Sequence, residues 1–305
     1  MQKIAFVVPT KDRPADLKKM LQSLAEQERK PDQIIIVDGS MPPIKNVLKE
    51  FEELSIDYVA VYPPSLAKQR NAGIAILKKD ITLAGYLDDD VALEKDAIKN
   101  MLKFWDKADS NIGGTVFNIT NTPPPKWTRI KSIFFLDSPT PGKVLTSGCT
   151  SILGNQKKNI SVDWLCGGAT VWKREIIDKY DYDEWFKGTG YLEDVDFSFN
   201  VKNKYSLFLV SNAKLAHYSR PVRLDKEFVH GKWQIYNRMY LVRKYKSRGL
   251  SIFKAWIASF GLVALNLSIG LLKMKKGSIL KCLGNITAIT REILSKGEEI
   301  NDYLK

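Results

Sequence analysis

Three consecutive aspartates, Asp88, Asp89 and Asp90, close an apolar run from Ile81 to Leu87 that reads as a buried strand. Open α/β sheets bind ligands outside the carboxyl ends of their strands. A carboxylate cluster there suits a divalent cation, because hard cations take oxygen ligands. The competing use is to cap a helix over Glu94 to Trp105, since aspartate is a good N-cap residue, but a cap needs only one. Further polar residues end neighbouring strands: Thr10 and Arg13 after the first, Asp38 after the second. In a parallel sheet such ends meet along one edge and can line one pocket. Arg70 and Asn71, on an intervening helix, could face it. The chain has neither the P-loop motif nor a GxGxxG after its first strand, so it lacks the glycine cradles that hold phosphates. A metal held by the aspartates is another way to meet diphosphate charge.

The elements that must position these residues alternate. Lys3 to Val8 and Gln33 to Val37 are apolar and β-branched, as are strands read near Tyr58 to Val61 and Leu207 to Val210. Helices are read at Pro14 to Gln27, Ile44 to Leu54 and Leu66 to Lys78, and from Glu193 onward. Strand–helix alternation argues for parallel β-α-β units. Continuous apolar strands such as QIIIV fit a sheet covered on both faces. Residues 118–160, with Pro123 to Pro125, Pro139 and Pro141, break the rhythm and read as a loop-rich insertion, either a substrate lid or an irregular surface connection. Order returns with the strand and helix start of DWLCGGATVWKREI.

Charge divides the 305 residues unevenly. Lys214 to Lys305 holds 18 basic and 6 acidic residues, a net of +12 out of the +13 total. The rest is a near-neutral module. Inside the basic tail, Ala255 to Leu272 has no charged residue and is bracketed by Lys254 and Lys273. Eighteen helical residues span roughly 27 Å, the lower limit for a bilayer, and flanking cations suit anionic head groups. A membrane-surface or re-entrant helix, a transmembrane span and a buried core or oligomer helix all fit. Nucleic acid is disfavoured, because the cations bracket an apolar helix and do not alternate with stacking aromatics. Three scattered cysteines, Cys149, Cys166 and Cys282, form neither a disulfide framework nor a zinc spacing, which suits a reducing cytosol. The apolar stretch at the N-terminus is too short for a signal peptide.

Seven segments in order make the pattern specific: FVVPTKDRP, IIIVDGS, AKQRNAGI, YLDDDVALEKDAI, CGGATVWKREI, YDYDEWFKGTGYLEDVDFSF and AKLAHYSRP. The chain resembles family 2 glycosyltransferases over about residues 1–220. The resemblance implies an A-type nucleotide-diphospho-sugar transferase fold: a mainly parallel, mixed α/β sheet flanked by helices, with a C-terminal helical appendage. It implies a catalytic domain at 1–220, with a nucleotide-sugar half at about 1–110 and an acceptor half at 111–220. Residues 221–305 would be a basic, membrane-associating appendage at the cytoplasmic face. Thr10, Arg13, Asp38, Arg70, Asp88 and Asp89 are then implied donor-nucleotide contacts, with Asp38 on the base and Arg70 on the base or diphosphate. Asp88 and Asp90, the acids of a D-x-D pattern, and His217 are the implied ligands of Mn²⁺ or Mg²⁺. In the Glu193-Asp194 pair one acid is the implied general base of an inverting reaction, Asp194 ahead of Glu193, and Asp196 is structural. Gly167 and Gly168 would allow close approach beneath the donor sugar or acceptor. Trp164, Trp185 and Phe186 are sugar-stacking or core aromatics. Asn200 stands where many relatives have arginine. WQIYNRMYLVRKY resembles a helix of lipid-linked-sugar members, in which Asn237 or Arg238 would reach a phosphate. The implied partners are a UDP, dTDP or GDP sugar, a glycan or lipid-linked acceptor, and an anionic membrane surface; the implied setting is cell-surface polysaccharide or glycolipid synthesis.

Two other classes compete. A non-catalytic nucleotide-sugar-binding or scaffold subunit on the same fold would not need the Glu193-Asp194 pair. A nucleotidyltransferase would want a glycine-rich basic loop after the first strand, where VVPTKDRP has no glycine.

Overall fold

The computed structural model describes residues 2–122 and 127–295. In chain order its strands and helices are β1 (Ile4–Thr10), α1 (Pro14–Ala25), β2 (Gln33–Asp38), β3 (Ile56–Ala60), α2 (Leu66–Ile74), β4 (Leu83–Leu87), β5 (Val91–Leu93), α3 (Ala97–Trp105) and β6 (Ile112–Ile119). They continue with α4 (Arg129–Ile133), β7 (Ile160–Val162), β8 (Ala169–Lys173), α5 (Arg174–Ile177), α6 (Glu193–Lys202), β9 (Ser206–His217), α7 (Glu227–Lys244), α8 (Ile252–Leu272) and α9 (Lys276–Leu294). Two compact units result, one of residues 1–125 and 153–219, the other of residues 126–152 and 220–305.

The first unit is built on a mixed sheet with strand order β3-β2-β1-β4-β8-β6-β9-β5, and β7 pairs with β9. β3, β2, β1 and β4 run parallel, and β8 is antiparallel to β4 and to β6. Every residue of β1, β2 and β4 is buried, as continuous apolar strands require. Leu17, Met20, Leu21 and Leu24 form the buried stripe of α1.

Three local expectations change. Residues near Ile44 to Leu54 form a 3₁₀ turn at Lys45–Glu50 with no buried residue, not an α-helix. The three aspartates do not cap a helix, because β5 intervenes and α3 starts only at Ala97. The insertion is ordered where it is described: α4 stands in it, and Val144 bridges Thr150. Pro123 to Pro125 lie outside the described residues.

In the second unit, residues 127–152 pack on the C-terminal helices. A Cβ on Gly261 of α8 would sit 2.6 Å from Phe134, and Ser251 donates its N–H to the Thr146 carbonyl at 2.7 Å. α7 and α9 approach backbone to backbone, with Gly231 and Gly284 facing each other.

Candidate active site

The sheet brings His217 to the aspartates. β5 pairs antiparallel with the end of β9 in a register that sets Val91 opposite His217. His217 Nε2 then lies 2.9 Å from Asp90 Oδ1 and 3.7 Å from Asp88 Oδ2. One ligand atom from each of Asp88, Asp90 and His217 falls within 4.8 Å of the others. Burial works to raise the Asp90 carboxyl, but the His217 bond and the charges of His217 and Arg13 outweigh it and hold it low. Burial works against charge on His217, yet Asp90 and Asp88 raise it above its ordinary value. Two carboxylates and an imidazole fit a divalent cation such as Mn²⁺ or Mg²⁺, whose charge would relieve their crowding.

Asp89 points elsewhere, because it and Asp90 form the turn between β4 and β5. Its carboxylate accepts from the Thr10 hydroxyl at 2.8 Å and from Arg13 Nη1 at 3.1 Å, and Arg13 also reaches Asp90 at 3.1 Å. Burial pushes Asp89 up to about 6, against the pull of Thr10 and Arg13. Thr10 and Asp89 form a buried brace behind the corner made by Asp88, Asp90 and His217. Arg13 keeps an exposed side.

Asp38 is also enclosed. Its carboxylate accepts from the Ser40 N–H at 2.8 Å, the Ile44 N–H at 2.9 Å and the Tyr58 hydroxyl at 2.6 Å. Burial alone would raise this carboxyl, but the bonds from Ser40, Tyr58 and Ile44 lower it overall. With no exposed surface, Asp38 organises the turn beyond β2.

Arg70, on α2, is 1% exposed and ties the acids together. Its Nη1 donates to Glu193, its Nη2 lies 3.5 Å from Asp88, and the guanidinium sits over Tyr182 at 4.9 Å and Tyr86 at 5.6 Å. The two tyrosines carry no sequence signal beyond their place in apolar segments. Asn71 faces away, exchanging hydrogen bonds with the Tyr182 backbone at 2.9 Å.

The acid pair opens α6. Gly190 at φ +66° and Leu192 at φ +75° turn the chain into the helix, and Glu193 N–H closes the turn on the Gly190 carbonyl at 2.8 Å. Glu193 is buried and committed to Arg70. Asp194 is only partly buried; it accepts from the Gly167 N–H at 3.1 Å and the Val195 N–H at 2.8 Å. Burial and the neighbouring Asp194 push Glu193 up to about 8 despite Arg70. Burial raises Asp194 too, opposed by the Gly167 N–H and Arg70. Asp196, one turn position on, is buried.

Gly167 and Gly168 allow a close approach, but to the protein's own side chains. A Cβ at Gly167 would lie 2.6 Å from Arg70 Nη1, and one at Gly168 would lie 2.0 Å from Asp88 Oδ2. Trp164 packs partly buried on the core, and Phe186 is fully buried, which removes it as a stacking surface. Trp185 stays partly open, edge-on to Phe186. In the second unit Arg238 is 3% exposed, and its Nε and Nη1 have no hydrogen-bond partner.

A family model described as glycosyl transferase family 2 matches residues 5–181. No curated protein sequence matches the chain. Among solved structures, the mannosyltransferase PcManGT of Pyrobaculum calidifontis, in complex with GDP-Man and Mn²⁺, aligns with a TM-score of 0.59 at 12% identity, over 98% of this chain and 89% of that one. S. aureus TarS residues 1–349, in complex with UDP-GlcNAc, aligns with a TM-score of 0.52 at 12% identity, over 97% and 92%. A further S. aureus TarS structure aligns with a TM-score of 0.51 at 14% identity, over 82% of this chain, which spans only 44% of that TarS chain. At these identities the likeness is one of fold.

Proposed function

The chain belongs to glycosyl transferase family 2, and from that premise we propose that it is an inverting, metal-dependent transferase moving a sugar from a nucleoside diphosphate to a hydroxyl of a glycan or lipid-linked acceptor. The observation that carries the reading is the division of labour around Arg70. Glu193 and Asp88 are tied to that one guanidinium, and this leaves Asp194 as the partly open carboxylate of the pair. Asp194 takes the acceptor hydroxyl proton, and the oxygen attacks the anomeric carbon on the face opposite the departing diphosphate. A positioned carboxylate base contributes roughly 10²–10⁴-fold. The Gly167 N–H orients that carboxylate. Asp88, Asp90 and His217 would hold Mn²⁺ or Mg²⁺, whose charge stabilises the leaving diphosphate. Arg70 is a positioning residue that fixes Glu193 and Asp88.

The PcManGT and TarS complexes, which hold GDP-Man and UDP-GlcNAc, support a donor of the UDP, dTDP or GDP type. We place the protein in cell-surface polysaccharide or glycolipid assembly at the cytoplasmic face of the membrane, on the strength of its basic C-terminal segment.

The test is a thermal-shift panel with UDP, dTDP, GDP and CMP, each with Mn²⁺, Mg²⁺ or EDTA. A ligand at 100 times its Kd stabilises by about 2.7 kcal/mol. One diphosphate should raise the melting temperature only with metal, and it names the donor class to assay for transfer. Equal shifts with EDTA would remove the metal from the reading.

A further inference from the structure

Two helices of the second unit, α8 and α9, carry large apolar side chains on their outer faces. On α8 the buried positions include Ala255, Ala258, Ser259 and Asn266. The exposed ones include Phe253 (74%), Phe260 (52%), Leu267 (43%) and Leu271 (61%). These four are spaced seven, seven and four apart and therefore share one helix face. α9 repeats the pattern: Asn285 and Glu292 are buried, while Leu283, Ile286 and Ile293 are exposed. The polar groups have partners inside. Asn266 donates to Asn285 at 2.8 Å, Asn285 donates to the Gly231 carbonyl at 2.8 Å, and Arg243 pairs with Glu292. A water-facing helix puts its large apolar side chains inward. Small and polar residues between helices with large apolar ones outside is the sorting found where the surroundings are apolar.

We propose that the outward faces of α8 and α9 dock on the surface of an anionic lipid bilayer. Charge selects this occupant: Lys254 lies one residue from Phe253, and Lys273, Lys275 and Lys276 follow Leu271 directly, with no acidic residue from Ser251 to Thr290. Cations placed beside an inserted apolar face meet anionic head groups. Among the described residues, α8 is the one helix long and apolar enough to span, with a mean hydropathy of 1.9. It is joined to α9 along its length, however, by Asn266 to Asn285, by Cys282 to the Val263 carbonyl, and by Ile279 against Gly270. Crossing the bilayer would draw Lys281, Arg291 and Glu292 of α9 toward the hydrocarbon, which is costly. Lying in the interface leaves them at head-group level.

Flotation of the full-length protein tests this without calling on transferase activity. The vesicles are phosphatidylcholine alone, or phosphatidylcholine with phosphatidylglycerol. The protein should float with the mixed vesicles and less with phosphatidylcholine alone. Phe253→Gln/Leu271→Gln, at exposed positions, should weaken vesicle binding at least ~10-fold while the melting temperature holds. Lys275→Glu/Lys276→Glu should erase the preference for phosphatidylglycerol. Failure of the wild type to float, or equal binding by the glutamine variant, overturns the proposal. So does a lipid-free dimer that the glutamine variant converts to monomer without any flotation, which would give the face to a second copy of the chain.

Discussion

Glu193 and Asp194 are adjacent in sequence but have different chemistry within reach. Glu193 is spent on Arg70, and Asp194 has only two backbone N–H partners. Asp194→Asn should therefore leave the donor-induced thermal shift intact and cut transfer at least ~100-fold; near-normal turnover would take Asp194 out of the base role. pH gives a second handle. The base must be ionised, and burial raises Asp194 above the ordinary 3.8 of aspartate. Activity should thus fall on the acid side at a pH above that of an ordinary aspartate. Glu193, raised to about 8, carries its proton through that limb, so Glu193→Gln should leave the limb in place. A limb that moves downward in that variant would show that Glu193 is ionised beside Asp194 and overturn this assignment. Stability runs the opposite way. Folded Glu193 is raised from 4.5 to about 8, so the folded chain holds the extra proton between those values. Its contribution is complete below pH 4.5 and is lost as pH rises through about 8. His217→Ala removes a ligand from the metal corner and should weaken Mn²⁺ binding by no less than the ~10–100-fold typical of losing an outer partner, as titration calorimetry would read.

Elements decide which strand-end residues become a site. The apolar runs of β1, β2 and β4 and the stripe of α1 were legible, because burial on both faces writes itself into composition. The three-residue β5 was not, since VAL between acids carries no periodicity, yet it is the strand that brings His217 to Asp90. Residue types at the site were legible too, but which way each one points was not. Asp38 and Asp89 stand at or just beyond strand ends and Arg70 lies on α2, and only tertiary packing reveals that each is enclosed by its own neighbours. Gly168 depends on the same packing: β4 and β8 pair so closely at Asp88 that no Cβ fits. Gly168→Ala should shift the loop or Asp88, cost roughly 1–3 kcal/mol of stability as overpacking does, and blunt the Mn²⁺-induced thermal shift. A variant with normal melting and normal metal response would mean that the loop yields freely.

At the scale of the whole molecule, the chain does not divide where its charge does. Composition changes near Lys214, but the second unit also takes residues 126–152 from the middle of the sequence. That segment carried no mark of its destination, because proline-rich, polar residues read as a connection wherever they pack. A truncation that treats the basic tail as a removable anchor therefore cuts through a folded unit. Deletion of residues 250–305 takes away Gly261 beneath Phe134, Ser251 beside Thr146 and Lys254 over the Phe135 ring. It also strips α7 of its α9 partner, including the Asn285 bond to Gly231. Buried groups left bare cost their desolvation and packing together. The shortened chain should leave the vesicles but aggregate more readily, with new proteolytic cuts inside 127–152 and 227–244 by mass spectrometry. The surface variant Phe253→Gln/Leu271→Gln should leave the vesicles without those cuts. If the deletion instead stays monomeric and protease-resistant, residues 127–152 fold without the C-terminal helices, and the tail is an appendage after all.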